Sequence, residues 1–196
     1  DGLARFDVPS LRLVSFACFA GHSSTAAGFS DLAVAEDAVF CADLKGTLYE
    51  HDPETCELLR QRAYQPSVVD TGQRVVASRV QNYRTPVVGL QGGAGGASRL
   101  AVGREAVYLG GRDGVVTAHA RGAGLSIVAR ARLSDSQVPL GIRALYLGPS
   151  QRLYCGVLST VRVLSTPGLQ AVAKLQGGPR VPVFGCICSL AESPDG

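Results

Sequence analysis

The chain of 196 residues contains no methionine and no tryptophan, and only two of its 19 basic side chains are lysine. The missing methionine includes the initiator, so the chain is expected to be a piece of a longer or processed protein. No apolar run reaches the ~18–20 residues that a helical membrane span needs. The opening DGLARFDVPS starts on an acid and runs into no apolar stretch, which excludes a signal peptide there. Sustained apolar spacing at i, i+3, i+4 and i+7 is missing, and helices have little support. Charged residues make up only 18% against 46% apolar, a globular composition and not a disordered one.

Cysteine is present but sparse. Cys18, Cys41, Cys56, Cys155, Cys186 and Cys188 form no paired C-x-x-C knuckles, which disfavours a zinc site. Most lie in apolar runs, where a free thiol acts as a small hydrophobe. Reduced thiols and a cytoplasmic setting follow as the expectation. Glycine is abundant, at 24, and proline adds 10, as suits many tight turns between short strands.

The net charge of +3 hides a strong asymmetry: −7 over residues 1–59, +8 over 60–132 and +2 over 133–196. Complementary charge between neighbouring structural units accounts for this more simply than a nucleic-acid face, because no aromatic interleaving accompanies the arginines.

Four segments repeat a strand–turn–strand pattern: DGLARFDVPSLRLV from Asp1, GTLYEHDPETCELL from Gly46, GVVTAHARGAGLSIV from Gly114 and STVRVLSTPGLQAV from Ser159. Their equivalent positions Asp7, Asp52, Ala120 and Ser165 are spaced 45, 68 and 45 apart. The middle spacing holds an extra stretch within residues 65–98, including the glycine-rich GLQGGAGGAS, read as a loop. Before the last three hairpins stands a second strand pair: DLAVAEDAVFCAD, RLAVGREAVYLGGRDG and IRALYLGPSQRLYCGVL. Each unit is therefore four short strands in about 45 residues. One such sheet cannot bury both faces, whereas sheets stacked around an axis bury them against one another. The fold class expected is all-β: a β-propeller of four-stranded antiparallel blades, about four of them visible, forming part of a larger ring. The expected division is a partial blade at 1–20, a blade at 21–64, the insertion 65–98, blades at 99–133 and 134–177, and the start of another at 178–196.

Gly21-His22, followed by 28 residues and then His51-Asp52, resembles the WD-repeat pattern of Gly-His, spacer and Trp-Asp. The Trp position is filled by Phe6, His51, His119 and Leu164, and the Asp position by Asp7, Asp52, Ala120 and Ser165. VFGCICSLAESPDG resembles the innermost strand and first turn of a WD blade. VFCADLKGTLYEHDPETCELL is also similar to the quinoprotein-type propeller pattern, with Cys56 where Gly would stand.

The WD resemblance implies a non-catalytic scaffold for protein partners, with no cofactor and no metal. It implies a structural pair of His22 with Asp43, structural roles for Asp7 and Asp52, and packing roles for the equivalent His51 and His119. Cys186 and Cys188 alternate on one strand face and read as small buried residues. GLQGGAGGAS lacks the Gly-Lys-Ser/Thr ending of a phosphate loop. Glu50, Glu54 and Glu57 read as a solvated rim and not as paired acid–base groups. Partner binding is assigned to the propeller face or to the insertion 65–98, with Arg74, Arg79, Tyr83, Arg84, Arg99 and Arg104 as candidates. Two other functions stay open: a quinoprotein-type cofactor- or ligand-binding propeller, disfavoured by the lack of tryptophan, and a basic platform for lipid headgroups or nucleic acid.

Overall fold

The computed structural model describes residues 2–7, 10, 12–18, 29–43, 46–63, 97–122, 124–133, 141–176, 187, 189–191 and 193. His22, Cys186, Cys188 and the candidates Arg74, Arg79, Tyr83 and Arg84 lie outside them, as does most of the insertion.

Every regular element among the described residues is a strand. β1 (Gly2–Phe6) and β2 (Leu13–Cys18) form a two-stranded sheet. Three four-stranded antiparallel sheets come after it, each with its strands in chain order. The first contains β3 (Phe29–Val34), β4 (Val39–Asp43), β5 (Leu48–His51) and β6 (Leu58–Arg62). The second contains β7 (Ala97–Val102), β8 (Ala106–Gly111), β9 (Val115–Ala120) and β10 (Ile127–Arg132). The third contains β11 (Ala144–Leu147), β12 (Arg152–Val157), β13 (Thr160–Ser165) and β14 (Ala171–Gln176). This is the all-β, blade-like architecture that the repeats predict.

The sheets stack face to face through apolar side chains. Phe40, Ala42 and Leu48 of the first meet Leu100, Val107, Leu109 and the turn residue Leu125 of the second. Tyr108, Val116 and Ala118 on the opposite face of the second meet Leu153, Cys155, Val157 and Leu164 of the third. Strands β4, β5 and β8 are buried along their whole length, which explains their unbroken apolar character. The first strands of the sheets lie innermost: β7 packs against both β3 and β11, and Leu100 N–H donates to Asp31 Oδ2 at 2.8 Å across the first pair.

Backbone hydrogen bonds confirm the repeat register. Asp7, Asp52, Ala120 and Ser165 each donate a backbone N–H to the carbonyl that closes their hairpin, on Arg12, Glu57, Ser126 and Gln170, at 2.8–2.9 Å. One residue before three of those closures stand Cys56, Leu125 and Leu169, with φ of 63°, 58° and 56°. A left-handed residue is what this turn requires and what glycine usually supplies; here buried side chains take the strain because each plugs a core. A second repeated contact lies at the sheet-to-sheet step. Ile142 presses on Gly110 and Ile187 on Gly156; a Cβ on either glycine would come within 2.8 and 3.0 Å of the isoleucine. Ile187 also donates its N–H to the Leu158 carbonyl at 2.8 Å.

Candidate functional site

In each four-stranded sheet the first-to-second and third-to-fourth turns fall at the same end, because the strands alternate in direction. The first-to-second turns are near copies: Ala35 N–H donates to Ala38 O and Gly103 N–H to Ala106 O, both at 2.8 Å, and Gly148 N–H to Arg152 O at 2.9 Å. Sheet stacking sets these three turns side by side. Between them runs an open groove of about 690 Å³, lined by residues 34–37, 102–104, 146–149, Arg121 and Gln151. Its half-buried lining offers Val102, Tyr146 and Leu147, and its exposed rim offers Val34, Glu36, Asp37 and Arg104. A smaller depression of about 280 Å³, shared by Arg104, Tyr108, Gln151 and Pro167, adjoins it.

Arg121 fixes the groove's shape. It leaves the third turn of the second sheet, ion-pairs with Asp37 of the first, and donates from Nη1 to the carbonyls of Gly103 at 3.1 Å and Arg104 at 3.2 Å. Its guanidinium lies 5.5 Å from the centroid of Phe40. One planar fork thus joins two sheets, which a point-charge lysine could not do equally well. Arg5 of the two-stranded sheet pairs in the same way with Glu54 of the next. The Arg121–Asp37 pair joins the basic 60–132 segment to the acidic 1–59 segment, whereas Arg5 and Glu54 both belong to residues 1–59.

The histidines latch their own hairpins. His51 and His119 are fully buried. Each Nδ1 faces a carbonyl, Cys56 O at 3.1 Å and Leu125 O at 3.0 Å. A carbonyl only accepts, so Nδ1 carries the proton. In His119, Nε2 then accepts from Thr117 Oγ1 at 2.9 Å. Burial lowers both imidazole pKa values, so the rings are held neutral; the same carbonyl bonds pull weakly the other way.

Asp43 accepts from Thr47 N–H at 2.8 Å and from Tyr49 Oη–H at 3.0 Å. Burial, and secondly that carboxylate, push the Tyr49 phenol up to about 12. Asp52 accepts the backbone N–H groups of Thr55 and Glu54 at 2.7 and 2.8 Å, which lowers its pKa. Asp7 accepts from Ser10 Oγ–H at 2.6 Å. All three acids serve turns. Arg99 Nε donates to the Arg143 carbonyl at 2.9 Å and so ties two sheets together. Arg104 is exposed on the groove rim.

One sequence expectation needs correction. Glu50 is not on a solvated rim: it is 5% exposed and its Oε1 accepts from Arg60 at 3.0 Å. The cross-strand arginine neutralises it, which makes its burial tolerable. Burial raises the thiols of Cys41 to about 11 and Cys155 to about 12, so neither is a nucleophile at neutral pH. Among the described residues no group of three or more His, Cys, Asp or Glu side chains is placed to hold a metal. None of the described residues forms a helix long and apolar enough to cross a membrane.

Sequence reasoning found the turns but missed the groove. The available signal was the recurrence of a charged or polar turn tip (Glu36-Asp37, Arg104-Glu105, Pro149-Ser150) at the same place in three units.

No protein-family model matches the chain, and no curated protein matches it. Solved structures do match. The chain is similar to a component of the mitotic checkpoint complex, with a TM-score of 0.69 and 11% identity over 100% of this chain and 48% of that one. It is similar to the WD40 repeats of RRP9, with a TM-score of 0.58 and 12% identity over 83% of this chain and 41% of that one. It is also similar to BamB from Moraxella catarrhalis, with a TM-score of 0.57 and 8% identity over 84% of this chain and 40% of that one. The chain thus spans less than half the length of each of these three. At such identities the likeness is one of fold: the chain has a β-propeller-like fold similar to that of WD40-type and BamB-type propellers.

Proposed function

We propose that the chain is a non-catalytic, WD-like platform that docks a protein partner in the groove across its first-to-second turns. The observation behind this is the groove itself. Three equivalent turns from three sheets present an apolar lining with Tyr146 and a charged rim with Arg104. Interface hot spots favour this mixture of aromatic, arginine and recessed apolar surface. The buried acids and histidines are engaged in turns and sheet contacts, which leaves them structural work. That one similar chain belongs to a checkpoint complex supports an assembly role by analogy of fold only. The buried free thiols suit a cytoplasmic setting, which imaging of the tagged protein checks.

The test is affinity capture with the full chain, wild type against Arg104→Glu/Tyr146→Ala in the groove and Arg112→Glu at the opposite end of the second sheet. A partner lost with the groove variant and kept with Arg112→Glu supports the reading. A partner kept by the groove variant but lost when residues 65–98 are deleted moves the site to the insertion. A small molecule that co-purifies, with no protein, favours the cofactor- or ligand-binding alternative.

A further inference from the structure

The seam between the first and second four-stranded sheets changes character from inside to outside. Inside it is apolar, built by Phe40, Leu48, Val107 and Leu109. Outside, strand register sets its composition. Leu48 pairs with Arg62 and Glu50 with Arg60 across β5 and β6. Leu109 pairs with Thr117 across β8 and β9, and Thr117 with Arg130 across β9 and β10. Paired residues share a sheet face. The apolar seam therefore continues outward into Arg60 and Arg62 on one wall, and Thr117, His119, Arg130 and Arg132 on the other.

Among the described residues this outer seam carries exposed side chains on both walls. β10 alternates half-buried and exposed residues. Its Ala129 and Ala131 pack against the third sheet, while Val128, Arg130 and Arg132 on the opposite face stay exposed. β6 is exposed except for Arg62, which is half-buried. The result is a wedge with four arginines and one buried acid, Glu50. Arg60 is already used, on Glu50 and on the Arg121 carbonyl. Arg62 and Arg130 form no ion pair among the described residues, and Arg62 Nε is buried with no hydrogen-bond partner. Strand pairing sets Arg62 beside Leu48 and Arg130 beside Thr117, so the two arginines stand on the facing walls of the seam. A half-buried guanidinium without an anion, as at Arg62, is costly, and with the exposed Arg130 on the facing wall it matches a phosphate dianion with its three acceptor oxygens.

We propose that the wedge between β5–β6 and β9–β10 binds a phosphorylated side chain on an extended segment of a protein partner, through Arg62 and Arg130. Arg62 is half-buried, so a side chain must reach in to meet it, which an extended segment can do and the plane of a bilayer cannot. This site is separate from the turn groove and does not depend on it.

The experiment is fluorescence anisotropy of the full chain with a labelled peptide bearing one phosphoserine and with its unphosphorylated twin, alongside sedimentation with phosphatidylinositol-phosphate vesicles. The phosphopeptide is expected to bind at least tenfold more tightly than its twin. Arg130→Ala and Arg62→Ala should each cost about tenfold or more, the size of one lost charge-assisted bond, and binding should weaken with salt. Arg130 is exposed, so its variant keeps the fold whatever Arg62→Ala does; Arg62→Lys should restore part of the affinity. Equal binding of the two peptides, or a preference unmoved by Arg130→Ala, overturns the proposal. Vesicle binding lost in the same variants, without peptide binding, overturns it in favour of lipid.

Discussion

Replacing Arg121 by alanine removes the clasp between the first and second four-stranded sheets. The side chain is 15% exposed, while its acidic partner Asp37 is 74% exposed. The exposed ion pair is worth under about 1 kcal/mol. The two carbonyl bonds come from one Nη1, and as charge-assisted bonds they contribute about 2 kcal/mol together. The contact with Phe40 adds about 0.5–1 kcal/mol. Arg121→Ala should therefore cost about 3 kcal/mol. Arg121→Lys keeps the charge but not the fork, and should lose about 2 kcal/mol. Asp37→Asn should lose under about 1 kcal/mol. Urea denaturation of the full chain, followed by fluorescence and circular dichroism, reads all three. If Asp37→Asn costs as much as Arg121→Ala, the ion pair to the first sheet carries the whole effect, and the carbonyl bonds, which stay within the second sheet, add nothing. If Arg121→Ala costs less than about 1 kcal/mol, the reasoning about sheet coupling is refuted.

The geometry sets three further outcomes. Because the native pKa values of His51 and His119 are depressed by burial, the unfolded chain binds more protons in acid. Their contribution is complete above the unfolded value of about 6.5 and is lost as pH falls through the lowered native values, at up to about 1.4 kcal/mol per pH unit each; thermal melts from pH 8 to 5 should show this, and a His51→Asn/His119→Asn variant should flatten the profile. Gly110→Ala should destabilise by about 1–3 kcal/mol through overpacking, since its Cβ would sit 2.8 Å from Ile142 Cγ2; unchanged stability would mean that the sheet-to-sheet step is loosely packed. Leu158 has φ of 50° and is 42% exposed, so Leu158→Gly should stabilise by about 1 kcal/mol, read as a rise in Tm.

The repeat was legible because hairpin chemistry is local. The turn positions Asp7, Asp52, Ala120 and Ser165 align in the sequence despite sharing little chemistry, and the same backbone bond closes each hairpin. Cys56 stands out in the sequence where glycine belongs, and its left-handed backbone shows why. The groove was not legible, because it exists only once turns 68 and 45 residues apart in their repeats lie side by side. Glu50 was misread for a similar reason: its burial depends on a neighbouring sheet, and its neutralisation on Arg60 across the strand. The equivalence of His51 and His119 was visible, whereas their shared carbonyl latch depends on the path of the turn after each.

The most direct measurement is hydrogen exchange with mass spectrometry on the full chain, alone and with its captured partner. Docking in the groove predicts simultaneous protection of residues 35–38, 103–106 and 148–151, with no change at residues 111–114 at the opposite end of the second sheet. Protection confined to residues 111–114, or to one of the three turns alone, would contradict the groove as the docking site.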